Sequence, residues 1–310
     1  VLEKIVVGYA GGPAGRDAVA LAGTLAAATG GRLTVVFPYH PLLGKVDAQT
    51  VQREVTADVK GLLDTVAGAT QIEEPTFRWS SSHWPIHALH ELAGYEEADL
   101  IVVGAAKEGL GDHLHVSLME RLVHGAPCAV AVAPEGYLAE RQRAANETTT
   151  IRRIGVGFAS SSEGRAALEL ACELAARSGA TVKMIAGAGL EPALASYAFS
   201  SLALGEVEEE LYREIEEQLK RFCAEHHDGA PLERETIKGD PASVLIERSS
   251  KLDLLVLGSR AYGPLRHVLL GSVSARAMRE ARCPVLVVPR RVSCGDERDH
   301  EQRADVAYHG

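Results

Sequence analysis

A chain of 310 residues, 46% apolar and 24% charged, has room for two packed domains and excludes a fibrous or disordered protein. Its formal net charge of −10 argues against nucleic acid or an anionic membrane as the main partner, because both demand a basic face. No run approaches the roughly 18 apolar residues of a membrane span, the opening VLEKIVVGYA lacks a signal-peptide layout, and the five cysteines show no C-x-x-C spacing; a cytoplasmic protein with reduced, core-type cysteines is expected.

The first predicted strand is IVVG, ending at Gly8, an apolar run of the kind buried on both faces of a sheet. A helical pattern follows to Gly30, then the strand LTVVF, then a helix whose Val51, Val55, Val59, Leu62 and Val66 form one apolar stripe. Ser80, Ser81 and Ser82 read as a loop before the next helix, since no acidic partner or oxyanion hole accompanies them. His83, His87 and His90 fall before or on that helix. With His113, His115 and Asp112 further on, they could ligate a metal, but no spacing fixes them, and they are read as ordinary surface or core histidines. Strands LIVVG, ending at Gly104, and AVAVA, from Ala129, complete the half. ERQRAANETTT, Glu140 to Thr150, is polar and without apolar period, and predicts a solvated linker.

The pattern then starts again. The segment from Ile5 recurs from Ile154, with Gly8 matched by Gly157, Gly15-Arg16 by Gly164-Arg165, and Gly30 by Gly179. ADLIVVG is matched by LDLLVLG, and CAVAVAP from Cys128 by CPVLVVP from Cys283. Three blocks in the same order mean a duplicated domain, with halves over 1–143 and 151–290. In the second half, Val207, Leu211, Ile215, Leu219 and Phe222 form the helix stripe, and the glutamates between them its solvated face. Residues 291–310 carry almost no apolar spacing and predict a tail. Alternating strands and helices imply two tandem α/β domains, each a doubly wound parallel sheet of five strands. Ligands then bind at the carboxyl ends of the strands, where strand order reverses.

The segment from Leu254 to Pro289 carries the chemistry. A buried strand ends at Gly258-Ser259-Arg260-Ala261-Tyr262-Gly263, and after Gly271-Ser272 a helix is predicted from Val273 to Ala281. Gly258 permits a sharp turn and close approach of a ligand to the backbone. Gly271-Ser272 puts amides and a hydroxyl at a helix start, where anions are favoured, with Arg260, Arg266 and His267 as nearby cations. The plainer alternative is that Ser272 is a helix cap and the glycines are turns.

With Gly258, Ala261 and Gly271-Ser272 at its fixed positions, this segment resembles the nucleotide signature of the universal stress protein family, G-x2-G-x9-G-[ST]. GDPASVLIE from Gly239 and RCPVLVVP at the domain's end agree with it. The resemblance implies a stress-response protein that binds ATP, or AMP or ADP, without an established chemical step. Carried over to this sequence, it implies phosphate contacts from Gly271, Ser272, Val273 and Ser274, and a nucleoside end lined by Gly157, Leu257, Gly258, Ser259, Arg260 and Ala261. The family's acidic residue after the first strand is Ala10 in one half and Ala159 in the other, and Ala261 replaces a glycine. In the first half Lys107 replaces that glycine and Val116-Ser117 replaces Gly-Ser, so this half is not expected to bind ATP in the usual way. The resemblance further implies antiparallel pairing of Cys128–Ala133 with Cys283–Val288 within the chain, and a homodimer of such units without a residue that dictates it. A module of this fold that lost its nucleotide and kept only its interactions is the alternative, and an enzyme of the wider adenine-nucleotide α-hydrolase-like group a more distant one.

Overall fold

The computed structural model of the chain describes residues 2–38, 48–67, 72–80, 85–105, 121–143, 151–189, 201–225, 232–259 and 271–289. The first half runs β1 (Lys4–Gly8), α1 (Gly12–Thr29), β2 (Arg32–Pro38), α2 (Ala48–Ala67), β3 (Thr76–Ser80), α3 (Pro85–Tyr95), β4 (Leu100–Gly104) and β5 (Ala129–Ala133), followed by α4 (Tyr137–Arg143). The second runs β6 (Arg153–Gly157), α5 (Ser162–Ser178), β7 (Thr181–Ala188), α6 (Ser201–Glu225), β8 (Leu232–Lys238), α7 (Pro241–Ser249), β9 (Leu254–Gly258), α8 (Ser272–Glu280) and β10 (Val285–Val288).

These strands form one sheet, ordered β3-β2-β1-β4-β5-β10-β9-β6-β7-β8. Within each half every pairing is parallel, so the architecture is α/β and doubly wound. The central strands are continuously apolar because both faces are covered. Ile5, Val7, Leu100 and Val102 pack with α1 and α2, whereas Val6, Ile101, Val130 and Val132 pack in a second cluster with α3. The outermost strand β8 alternates charges instead, in Leu-Glu-Arg-Glu-Thr-Ile-Lys, which discourages further pairing at that edge.

Local chemistry repeats with the fold. Helices α1 and α5 end at Gly30 and Gly179, both left-handed, whose amides return to Ala26 and Ala175 carbonyls. The Asp99 carboxylate accepts the Glu3 and Lys4 amides, and Asp253 accepts those of Arg152 and Arg153, fixing the start of β1 and β6.

The halves meet where β5 runs antiparallel to β10, with Val130 opposite Val287, Ala131 opposite Leu286 and Val132 opposite Val285. Beside this seam α1 touches α5, and Arg177 Nη1 donates to the Thr29 carbonyl at 2.6 Å.

Two sequence expectations are corrected. The predicted linker is helical at its start, since α4 includes Glu140 to Arg143. Buried Asp17 on α1 accepts the Gly136 and Leu138 amides and so anchors a turn that local pattern does not reveal. Residues 144–150 and the predicted tail from 290 lie outside the described residues. On α6 the apolar stripe is covered only toward its C-terminal end: Leu219 and Phe222 are buried, while Val207 is 50% exposed. Among the described residues no helix is long and apolar enough to cross a membrane.

Candidate functional site

Strand order reverses between β6 and β9, which run parallel with Val156 opposite Val256 and end at Gly157 and Gly258. A Cβ on Gly157 would stand 2.5 Å from Leu257 Cδ2. Leu257 itself is buried in the cluster beneath α7 and α8, so it offers the cleft backbone rather than side chain. Gly258 has no positive φ, and the sharp turn expected there is not what keeps it glycine. A Cβ would come within 2.7 Å of the Glu163 carbonyl carbon and 2.8 Å of its oxygen, so the constraint is the close approach of α5 to β9. The buried Ser259 donates its amide to the Val288 carbonyl at 2.9 Å.

Helix α8 starts at Ser272, one residue earlier than expected, and ends at Glu280. Its cap is Gly271, at φ −79° and ψ 161°, which supplies no side-chain acceptor; Ser272 is therefore the first helical residue and not the cap. The first amides of a helix have no partner within the helix, and its dipole favours an anion in front of them. Ser272 is exposed and Val273 half-buried. Ser274 is buried and its hydroxyl donates to the Gly258 carbonyl at 3.2 Å, linking the helix start to the strand end. Arg260, Ala261, Arg266 and His267 lie outside the described residues.

A further lock, which spacing does not reveal, holds α8 in place. Asp240 caps α7 by accepting the Ser243 amide (3.0 Å) and hydroxyl (2.7 Å), and the same oxygen takes Arg276 Nη1 of α8 at 2.7 Å. Burial pulls the Asp240 carboxyl upward, but the bonds from Ser243 and Arg276 outweigh it and hold the group below its usual 3.8. The sequence signal was GDPAS, an Asp-Pro helix start.

The corresponding cleft of the first half is built differently. Gly104 closes β4, and a Cβ there would lie 1.9 Å from the Ala14 carbonyl oxygen. Where the second half has Phe158, the first has Tyr9, whose hydroxyl donates to Asp58, itself bonded to Arg16 at 3.0 Å. Burial, then the Asp58 bond and charge, push the Tyr9 hydroxyl up to about 12. Tyr9, Phe37 and Trp79 pack in series with tilted rings, at 6.3 and 5.4 Å between centroids. Ala10 and Ala159 are both exposed and bring no polar side chain to either cleft. Lys107, Val116 and Ser117 lie outside the described residues, as do His83, Asp112, His113 and His115. His87 pairs with Glu91 and His90 Nε2 meets the Leu122 carbonyl; among the described residues no group of three or more His, Cys, Asp or Glu is placed to hold a metal.

The sequence profile of the universal stress protein family matches residues 2–134 and 150–289. The chain belongs to this family. The universal stress protein Rv2319c of Mycobacterium tuberculosis is 24% identical over 303 residues, covering 92% of this chain and 99% of that one. Rv2005c of the same species is 27% identical over 210 residues, a match spanning 66% of this chain and 65% of that relative's length. Among solved structures, a universal stress protein from Archaeoglobus fulgidus covers 94% of this chain and 99% of its own, at TM-score 0.59 and 17% identity, a likeness of fold.

Proposed function

We propose that this universal stress protein is a stress-response protein that binds an adenine nucleotide, ATP or its AMP or ADP relatives, in its C-terminal half, and that binding carries no chemical step. The phosphates face the amides of Gly271, Ser272, Val273 and Ser274. The nucleoside lies over Gly157, Leu257, Gly258 and Ser259; Arg260 and Ala261, which the family signature adds to these contacts, lie outside the described residues.

The observation that supports this most is the start of α8. It opens on a glycine without a side-chain cap, next to the point of strand reversal, and is tied to the strand end through Ser274. The first half, with Ala14, Tyr9 and Val116 at the matching places, is read as not binding ATP in this way. The exposed Ala10 and Ala159, where an acid would grip a ligand, favour one second reading: an interaction module of the same fold without nucleotide.

Titration calorimetry of the full chain with ATP, ADP and AMP separates the two. Gly271→Val places the first half's Val116 at the cap. An ordinary φ of −79° lets valine adopt this backbone, and binding is expected to fall about ten-fold or more, with thermal unfolding of the variant measured alongside because Gly271 is buried. Absence of binding to all three nucleotides at millimolar concentration would establish the second reading. Light scattering of the same sample reads whether two units form the homodimer we also propose.

A further inference from the structure

Glu163, in the first turn of α5, is 4% exposed, and its Oε1 is buried with no hydrogen-bond partner among the described residues. A buried acceptor without a donor destabilises a fold. The matching residue of the first half, Ala14, avoids the difficulty altogether, so the fold itself does not demand a carboxylate at this place.

Position gives the carboxylate its meaning. The Glu163 Cβ, carbonyl carbon and carbonyl oxygen all lie within 2.9 Å of where a Cβ on Gly258 would stand. On the other side of the same glycine, Ser274 of α8 donates to its carbonyl. The end of β9 is thus held between the helix start proposed for phosphate and the backbone and Cβ of the residue that carries the unpartnered carboxylate oxygen. A phosphate cannot be that missing partner, because it is itself an anion and an acceptor. The fitting partner is a neutral donor, and on a nucleotide whose phosphates sit at the start of α8 the ribose hydroxyls are the donors nearest to them. In doubly wound sheets an acid near the strand ends serves ribose hydroxyls in this manner.

We propose that Glu163 is a specificity-determining residue that accepts hydrogen bonds from the ribose hydroxyls of the bound nucleotide, making the site selective for ribonucleotides. The inference rests on the nucleotide reading above and names what that site discriminates.

Calorimetry of the full chain with AMP, 2′-deoxy-AMP and 3′-deoxy-AMP tests it. The wild-type protein is expected to bind at least one deoxy analogue about ten- to hundred-fold more weakly than AMP, the range for a lost bond to a charged acceptor. Glu163→Ala is expected to bring the three affinities within about two-fold of each other. Glu163→Gln, which keeps an acceptor oxygen and the same shape, is expected to fall between, and it carries the test alone if the alanine variant does not fold. Equal wild-type affinities, as an ordered water on Oε1 would give, overturn the proposal. So does a ribose preference that survives in Glu163→Ala. If the wild-type protein binds AMP but shows no preference, only this inference fails; if it binds none of the three, the nucleotide reading fails with it.

Discussion

Gly258 and Gly104 hold the same place in the two halves and are kept glycine by the same neighbour, the first turn of the helix packed over them. Because the obstructing atoms are backbone, Gly258→Ala is expected to cost about 1–3 kcal/mol, as overpacking does, read as a lowered denaturant midpoint. Gly61 on α2 is the contrast: nothing lies within 4 Å of its would-be Cβ, so Gly61→Ala is expected to stabilise by about 0.5–1 kcal/mol. Thiols follow burial in the same way. Cys128 and Cys283 are pushed up to about 12 by burial, with Asp99 and Asp253 adding to it. Both therefore stay protonated at pH 8, and iodoacetamide with mass-spectrometric readout is expected to label partly exposed Cys172 well before either. The core character of these cysteines was legible from the apolar runs they open. The unpartnered Glu163 oxygen was not, because the packing over Gly258 joins residues far apart in the chain.

At the scale of elements, α8 depends on α7 for its position. Asp240→Ala removes the α7 cap and the Arg276 tie together, and is expected to cost about 0.5–2 kcal/mol. It is also expected to weaken nucleotide binding through misplacement of the Gly271 amides. The sign with pH follows from the lowered Asp240 carboxyl. Its stabilisation is complete above the unfolded value of about 3.9 and is lost as pH falls through the lower folded value. Asp240→Asn is expected to show a shallower loss of stability between pH 5 and pH 3 in thermal melts. Strands and long helices could be read from apolar period alone, as Val51, Val55, Val59, Leu62 and Val66 on α2 show. Helix ends were harder: Ser272 looked like a cap until Gly271 took that place. Helix α4 was missed because its anchor, Asp17, sits on α1.

For the whole molecule, the β5 and β10 seam decides whether the halves behave as one. Leu286 is fully buried there, opposite Ala131. Leu286→Asp puts an unpaired charge into that seam, at a cost of about several kcal/mol. Calorimetric melting is expected to change from one cooperative transition to two, and a single transition at unchanged temperature would contradict a continuous structural unit. The duplication was plain in the sequence, since Gly8, Gly30 and the paired CAVAVAP and CPVLVVP blocks recur in order. The divergence between copies was only partly so, because Tyr9 with Asp58, or Arg177 with Thr29, are meetings of distant residues. The antiparallel seam also turns the copies head to tail, so the carboxyl ends of their strands open toward opposite ends of the sheet. Two identical chains joined across a dyad would have to keep or discard every side chain in pairs. Covalent fusion frees each copy from that rule: one carries an acid at Glu163 while its twin carries Ala14, so the two strand-end clefts can diverge independently.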